Sequence, residues 1–225
     1  MSKFLELNNI SKTFETSKKL KVIKNLSYTF NKGKIYSLMG PSGSGKSTLL
    51  NLISLIDNPS NGSIKFNDNE INYTENEEKD KFRAKKIGIV YQQNNLLPDF
   101  TSLENIYLAS LSINNDKDLA ISKAKQLLKK IGLSNRADHY PSQLSGGEAQ
   151  RIAIARAIIN DPEIILADEP TGSLDMKTAK VIFNLLKDQK RSNRLIIFAT
   201  HNRFFGNKAD CLLEILDGNI KSSNG

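Results

Sequence analysis

The sequence predicts an α/β protein built on a mainly parallel sheet, with a β-rich N-terminal segment and an inserted helical subdomain. Three observations lead there. The apolar run Ile35 to Met39 feeds a glycine-rich loop (Gly40-Pro41-Ser42-Gly43-Ser44-Gly45-Lys46-Ser47-Thr48), and apolar Leu49, Leu50, Leu52, Ile53, Leu55 and Ile56 follow it. Ile164-Ile165-Leu166-Ala167 and Leu195-Ile196-Ile197-Phe198-Ala199 are continuous apolar strands of the kind buried in parallel sheets. Helix-period stripes alternate with these strands, as in βαβ units.

Taken in order, residues 3–39 read as β-rich, with Leu26, Tyr28 and Phe30 alternating with polar neighbours. Asn31-Lys32-Gly33 turns the chain into the strand ahead of the glycine-rich loop. Phe14 lies upstream, either a core residue or a platform for a flat ring. Ser63 to Phe66, the turn Asn67-Asp68-Asn69 and Ile71 read as a short hairpin. Ile87 to Tyr91 is a buried-strand candidate ending at Gln92-Gln93. Residues 94–140 read as helical. Their clearest helix puts Ala120, Ala124, Leu127, Leu128 and Ile131 on one face, with Asp116 as N-cap and Gly132 as stop. Ala179, Ile182, Phe183 and Leu186 stripe another helix, and Asp217-Gly218 is a two-residue hairpin turn. This organisation is one domain over 1–225: 1–92 and 160–225 hold the β-rich segment and the sheet core, and 93–159 is the helical subdomain.

The bulk properties narrow the class. A hydrophobic fraction of 39% and a charged fraction of 25% are those of a soluble globular protein. No run reaches the length of a membrane span, and Ser2, Lys3, Phe4, Leu5 and Glu6 do not open a signal peptide. The lone Cys211 excludes an internal disulfide and reads as a core residue in a reducing compartment, so the expectation is cytoplasmic. The net charge of +8 is concentrated early, with eight lysines through Lys34 against Glu6 and Glu15; residues 68–80 are acidic. Without aromatic interleaving this is a solvated face, and no nucleic acid partner is expected.

The glycine-rich loop fits G-x-x-x-x-G-K-[ST]. Glycines let backbone N–H groups turn inward on a β-phosphate, and the positive end of the following helix faces the same anion. Lys46 would bridge β- and γ-phosphates, and the Ser47 hydroxyl would complete a Mg²⁺ shell. Asp168-Glu169 follows an apolar strand and projects carboxylates where open α/β sheets bind ligands; Asp168 suits Mg²⁺ and Glu169 suits polarising a water. In Leu144-Ser145-Gly146-Gly147-Glu148-Ala149-Gln150-Arg151, Ser-Gly-Gly opens a helix, a second anion site. One chain needs one such site per nucleotide, so the second suggests pairing with another chain.

These stretches, with Gln92, Ser173-Leu174-Asp175 and Thr200-His201, stand in the order seen in ATP-binding cassette (ABC) transporter ATPases, and the resemblance runs from about Phe4 to Ile220. It implies a P-loop NTPase fold with a RecA-like core, an N-terminal antiparallel β subdomain and an inserted α-helical subdomain carrying the signature loop. It also implies hydrolysis of ATP with Mg²⁺ by a head-to-tail homodimer on the cytoplasmic face of the inner membrane, serving integral membrane permease subunits. Carried over by position, Phe14 matches the adenine-stacking aromatic, and Gln92 the glutamine sensing Mg²⁺ and water. Ser145 and Gly147 match the contacts to the partner's ATP, Glu169 the catalytic base, Asp175 the residue reaching across the dimer and His201 the switch histidine. His139 matches a packing position. Asn95-Leu96-Leu97-Pro98, Thr101 and Glu104-Asn105 resemble the lipoprotein-releasing and macrolide-exporter branch, whose membrane subunits have four spans. A cell-division regulator of that branch, gating a cell-wall hydrolase without transport, is the alternative. Asn202, where an aspartate is usual, and the apolar Phe204-Phe205 depart from the pattern.

Overall fold

The β-rich reading of residues 3–39 corresponds to two long paired strands and a third that feeds the phosphate loop. A computed structural model describes residues 3–15, 19–71, 76–113 and 115–223. In chain order its elements are β1 (Lys3–Glu15), β2 (Lys19–Asn31), β3 (Ile35–Met39), α1 (Lys46–Ile53), β4 (Asn61–Phe66), β5 (Asn69–Glu70), α2 (Asn76–Lys86), β6 (Ile87–Val90), α3 (Ser102–Leu111), α4 (Lys117–Lys130), α5 (Gly146–Ile158), β7 (Ile164–Asp168), α6 (Met176–Lys187), β8 (Leu195–Ala199), α7 (Arg203–Gly206), β9 (Cys211–Leu216) and β10 (Asn219–Ser223). Ser2 of the N-terminal reading, Lys18 of the lysine-rich stretch and Glu75 of the acidic run lie outside the described residues. The chain divides into two units, Met1–Asp80 with Lys190–Gly225, and Lys81–Gln189.

In the first unit an antiparallel sheet runs β2-β1-β4-β5. Leu7 faces Tyr28 across β1 and β2, and Leu7 faces Ile64 across β1 and β4. Leu5, Leu7, Ile10, Ile23, Leu26, Phe30, Ile64 and Phe66 form its buried side. Tyr28 is only half-buried, with its ring edge-on to Phe30 at 4.7 Å. Asn67 and Asp68 take φ of 49° and 65°, the left-handed pair that a tight hairpin turn requires. The other sheet places β3 between β8 and β9, parallel to both, with β10 antiparallel on β9. All residues of β3 and β8 are buried, as their continuous apolar runs require. Asp210 anchors the start of β3: one carboxylate oxygen accepts from Ile35 N (2.7 Å), the other from Lys190 (2.6 Å). Cys211 corrects one expectation, because it is half-buried rather than core. It opens β9, ahead of the inward positions Leu213 and Ile215.

In the second unit β6 and β7 pair in parallel, Ile87 opposite Ile164 and Val90 opposite Ala167. Beside them, α3, α4 and α5 bury Ile106, Ala120, Ala124, Leu128, Ile131, Ile152 and Ala155 in one cluster. Asp116 does cap α4, accepting from Leu119 N (2.9 Å), and Gly132 ends it at φ 70°. The helical reading of 94–140 holds only from Ser102, since residues 91–101 are irregular. Asn105 explains why that loop is ordered. Its side chain is buried, donates to Leu97 O (3.1 Å), Phe100 O (2.9 Å) and Thr101 O (3.0 Å), and accepts from Leu97 N (2.7 Å). Helix α2 was not foreseen, although Glu77 and Glu78 in its first turn and Arg83, Lys85 and Lys86 in its last complement the helix dipole. Among the described residues no helix is long and apolar enough to cross a membrane.

Asn105→Leu keeps volume but strips every one of these bonds, leaving polar groups of the 97–101 loop unpaired. It should destabilise the protein by about 1–3 kcal/mol, read as a lower urea midpoint; an unchanged midpoint would refute the hub role.

Candidate active site

The phosphate loop closes between β3 and α1. Gly43 and Gly45 hold φ of 76° and 104°, backbone that a side chain would strain. A Cβ at Gly40 would lie 2.3 Å from Ile215 O, so the loop enters against β9 backbone. Helix α1 has Gly45 as N-cap, no side-chain cap bond and no acidic residue in its first turn. Its first N–H groups are therefore offered to an anion with no competing carboxylate. Lys46, buried, donates to Gly40 O (2.8 Å) and Pro41 O (3.0 Å). The Ser44 hydroxyl oxygen is buried with no hydrogen-bond partner among the described residues, a polar atom built for a ligand or water. Ser47 is exposed beside them.

Two more predicted residues stand in the same unit. Phe14 is 37% exposed at the end of β1, which sets aside the core reading, and the Lys12 ammonium lies 5.1 Å from its ring centroid. Lys12 is itself held by Asp57 (2.5 Å). His201 is exposed immediately after β8, behind Thr200, whose N–H donates to Leu38 O (3.0 Å). The departures next to it have structural roles. Asn202 caps α7 by accepting from Phe204 N (2.9 Å), a task its amide oxygen performs as an aspartate would. Phe205 is buried and Phe204 lies under the Lys208 ammonium at 4.2 Å.

In the second unit β7 delivers Asp168 and Glu169. Glu169 has φ 45°, an uncommon conformation for a non-glycine residue of the kind that clusters at functional sites. Its carbonyl accepts from Gly172 N (3.0 Å), closing a turn. A Cβ at Gly172 would stand 3.2 Å from Gln92 Nε2 and 3.5 Å from Glu169 Cβ. The missing side chain thus lets the Gln92 amide reach the Glu169 turn, and the structure brings these two predicted residues together. One Asp168 carboxylate oxygen is buried without a hydrogen-bond partner among the described residues. Among those residues no three His, Cys, Asp or Glu cluster around a metal position. A lone carboxylate such as Asp168 is nonetheless the kind of oxygen donor that suits Mg²⁺, which keeps waters and borrows phosphate oxygens.

The signature loop begins at Ser145, the N-cap of α5. Its hydroxyl accepts from Glu148 N (3.3 Å) while Glu148 accepts from Ser145 N (2.9 Å), a full capping box. Gly146 sits beside Leu174, and a Cβ at Gly147 would meet Thr178 Cγ2 at 2.4 Å. Thr178 donates its hydroxyl to Asp175 (2.6 Å), which also accepts from Lys177 N (2.9 Å) and Thr178 N (3.1 Å). Ser145, Gly147 and Asp175 therefore share one packed corner, and the Asp175 carboxylate is engaged as the N-cap of α6. Thr178, Gly172 and Arg136 carry parts of this geometry that the sequence reading missed; only the S-x-x-E spacing of the capping box was there to be seen. Arg136 Nε donates to Glu148 (2.8 Å). That bond first, then those from Ser145, hold the Glu148 carboxyl down at about 2.

A glycine-lined phosphate loop on a buried parallel strand, a carboxylate with one buried, unpartnered oxygen at the end of another, and a capped glycine helix start define a P-loop ATPase. Comparison with known proteins makes the class specific. The ABC transporter family profile matches residues 23–172. The lipoprotein-releasing system ATP-binding protein LolD of Rickettsia bellii is 41% identical over 224 residues, covering 99% of each chain. LolD of Ehrlichia ruminantium is 44% identical over 224 residues, covering 99% of this chain and 98% of its own. A solved dimeric structure of the ATP-binding cassette MJ0796 in a post-hydrolysis state, bound to ADP and Pi, superposes with a TM-score of 0.90 at 36% identity, covering 98% of both chains. The chain belongs to the ABC transporter family, as an ATP-hydrolysing subunit.

Glu148 supplies a pH test. Its folded value of about 2 lies below the ordinary 4.5, so its contribution to stability is complete above 4.5 and is lost as pH falls towards 2. Glu148→Gln should flatten the fall in urea midpoint across that window relative to the parent protein. Identical profiles would show that the ionised Glu148 contributes nothing through its bonds to Arg136 and Ser145.

Proposed function

We propose that this chain hydrolyses ATP to power the release of lipoproteins from a membrane, through separate permease subunits of the four-span type. The observation that carries the pathway is near full-length similarity, at 41% and 44% identity, to two proteins named as lipoprotein-releasing ATP-binding subunits. The subunit works at the cytoplasmic face of the inner membrane. It acts as one cassette, with 93–159 as its helical subdomain, and two copies pair head to tail around ATP, as the dimeric state of the MJ0796 cassette supports.

The chemistry is positioning and electrostatics. Phe14 stacks on adenine. The loop Gly40 to Thr48 and the α1 N-terminus cradle the β-phosphate, and Lys46 exchanges its carbonyl partners for phosphate oxygens. Ser47 and Asp168 would hold Mg²⁺, which supplies charge neutralisation at the β- and γ-oxygens. Glu169 takes the proton of the attacking water while Gln92, at its side, and His201 orient that water and the γ-phosphate. Ser145, Gly146 and Gly147 present a hydroxyl and N–H groups to the γ-phosphate held by the other copy, with Asp175 at the same interface.

Glu169→Gln should lower hydrolysis by about 10²–10⁴-fold while ATP still binds; turnover at the parental rate would remove Glu169 as base. Lys46→Ala should lose ATP affinity by titration calorimetry, and equal affinity would count against the loop. Ser145→Arg should leave monomer binding intact yet abolish the ATP dimer on light scattering, and a normal dimer would exclude the cross-interface role. For the pathway, tagged Glu169→Gln with ATP should capture a four-span subunit with a large periplasmic domain from detergent-solubilised membranes. Capture of a division protein instead would overturn lipoprotein release.

A further inference from the structure

Helix α5 grips the segment around Gln92 from both sides. Gln150, 3% exposed, donates from Nε2 to Tyr91 O (3.0 Å), the carbonyl just before Gln92. Further along the same helix, Arg156 donates from Nη2 to Asn94 O (2.8 Å) and from Nη1 to Asn95 O (2.7 Å), just after Gln93. The gripped backbone has no regular secondary structure, and Asn95 takes φ 48°. Loop carbonyls at the surface have water available, so solvation alone does not call for two side chains of one helix. What these bonds add is a fixed exit direction for Gln92, whose amide nitrogen lies against Gly172 in the Glu169 turn. The same helix begins at Ser145, so its two functional neighbours share one rigid element.

We propose that Gln150 and Arg156 are positioning residues for hydrolysis: they fix the Tyr91–Asn95 backbone so that Gln92 stays beside Glu169, and they tie that loop to the helix whose start is the signature loop. The inference rests on the assignment of Gln92 and Glu169 to the catalytic centre made above. Neither Gln150 nor Arg156 touches nucleotide; both act through Gln92.

The test uses Gln150→Met, which keeps length and removes the donor, Arg156→Met, Arg156→Lys, Gln92→Ala and the double variant Gln92→Ala/Gln150→Met in the full chain. ATP hydrolysis is normalised to folded protein, and ATP affinity is measured by calorimetry. Gln150→Met should cost about tenfold or more in kcat, as a small misplacement of a catalytic group does, with ATP affinity unchanged. The double variant should be no slower than Gln92→Ala, and Arg156→Lys should recover part of what Arg156→Met loses. Should Arg156→Met not fold, Gln150→Met and its double variant decide alone. A parental kcat in Gln150→Met, or losses that multiply in the double variant, would overturn the clamp while leaving Gln92 in place. A parental rate in Gln92→Ala would instead overturn the assignment on which the clamp rests.

Discussion

Every α-helix begins with N–H groups that have no partner inside the helix, and the choice of partner sorts the helices of this chain by task. Thr101, Asp116, Ser145, Asp175 and Asn202 each accept from the turn they open, so α3 to α7 are closed by their own side chains. Helix α1 alone among those with a described cap residue and four or more residues of α-helix has a glycine there and no side-chain bond. Its unmet donors are what a phosphate satisfies, and the buried β3 behind it holds them in place. The signature helix α5 is intermediate. Its cap is complete internally, through Ser145 and Glu148, yet its first helical residue is the exposed Gly146.

Glycines serve the second unit differently, through what they leave out. Gly147 lets the signature turn approach Thr178, and Gly172 admits the Gln92 amide to the Glu169 turn. Both approaches bring residues from distant parts of the sequence into contact without any bond of their own. Side-chain clamps then keep those contacts in register: Arg136 on Glu148, Thr178 on Asp175, Gln150 and Arg156 on the loop between them. The arrangement is a set of close approaches locked by polar bonds.

Local signals made much of this legible. The phosphate loop, the apolar runs of β3, β7 and β8, the apolar face of α4 with its Asp116 cap, and the Asp217-Gly218 turn each follow from a short window of residues. Phe14 did not, because exposure depends on what the rest of the fold covers. Cys211 failed for the same reason, lying at a strand start where the core has not yet closed. The helical reading overreaches at 94–101 because the organiser of that loop, Asn105, sits in the following helix and acts through four bonds that no periodicity reveals. The Gln92–Glu169 juxtaposition was legible as two residue types and illegible as a distance.

The ammonium of Lys46 has a bearing on selectivity between anions. It is already satisfied by two loop carbonyls, so any newcomer competes with an intramolecular chelate before it gains a favourable contact. A small anion such as free orthophosphate offers few other bonds to offset that exchange and is a poor competitor. A triphosphate brings several oxygens to the loop N–H groups at once and offsets that exchange more fully. The loop's own carbonyls thus set a threshold that an anion passes by the number of contacts it makes, not by its charge alone.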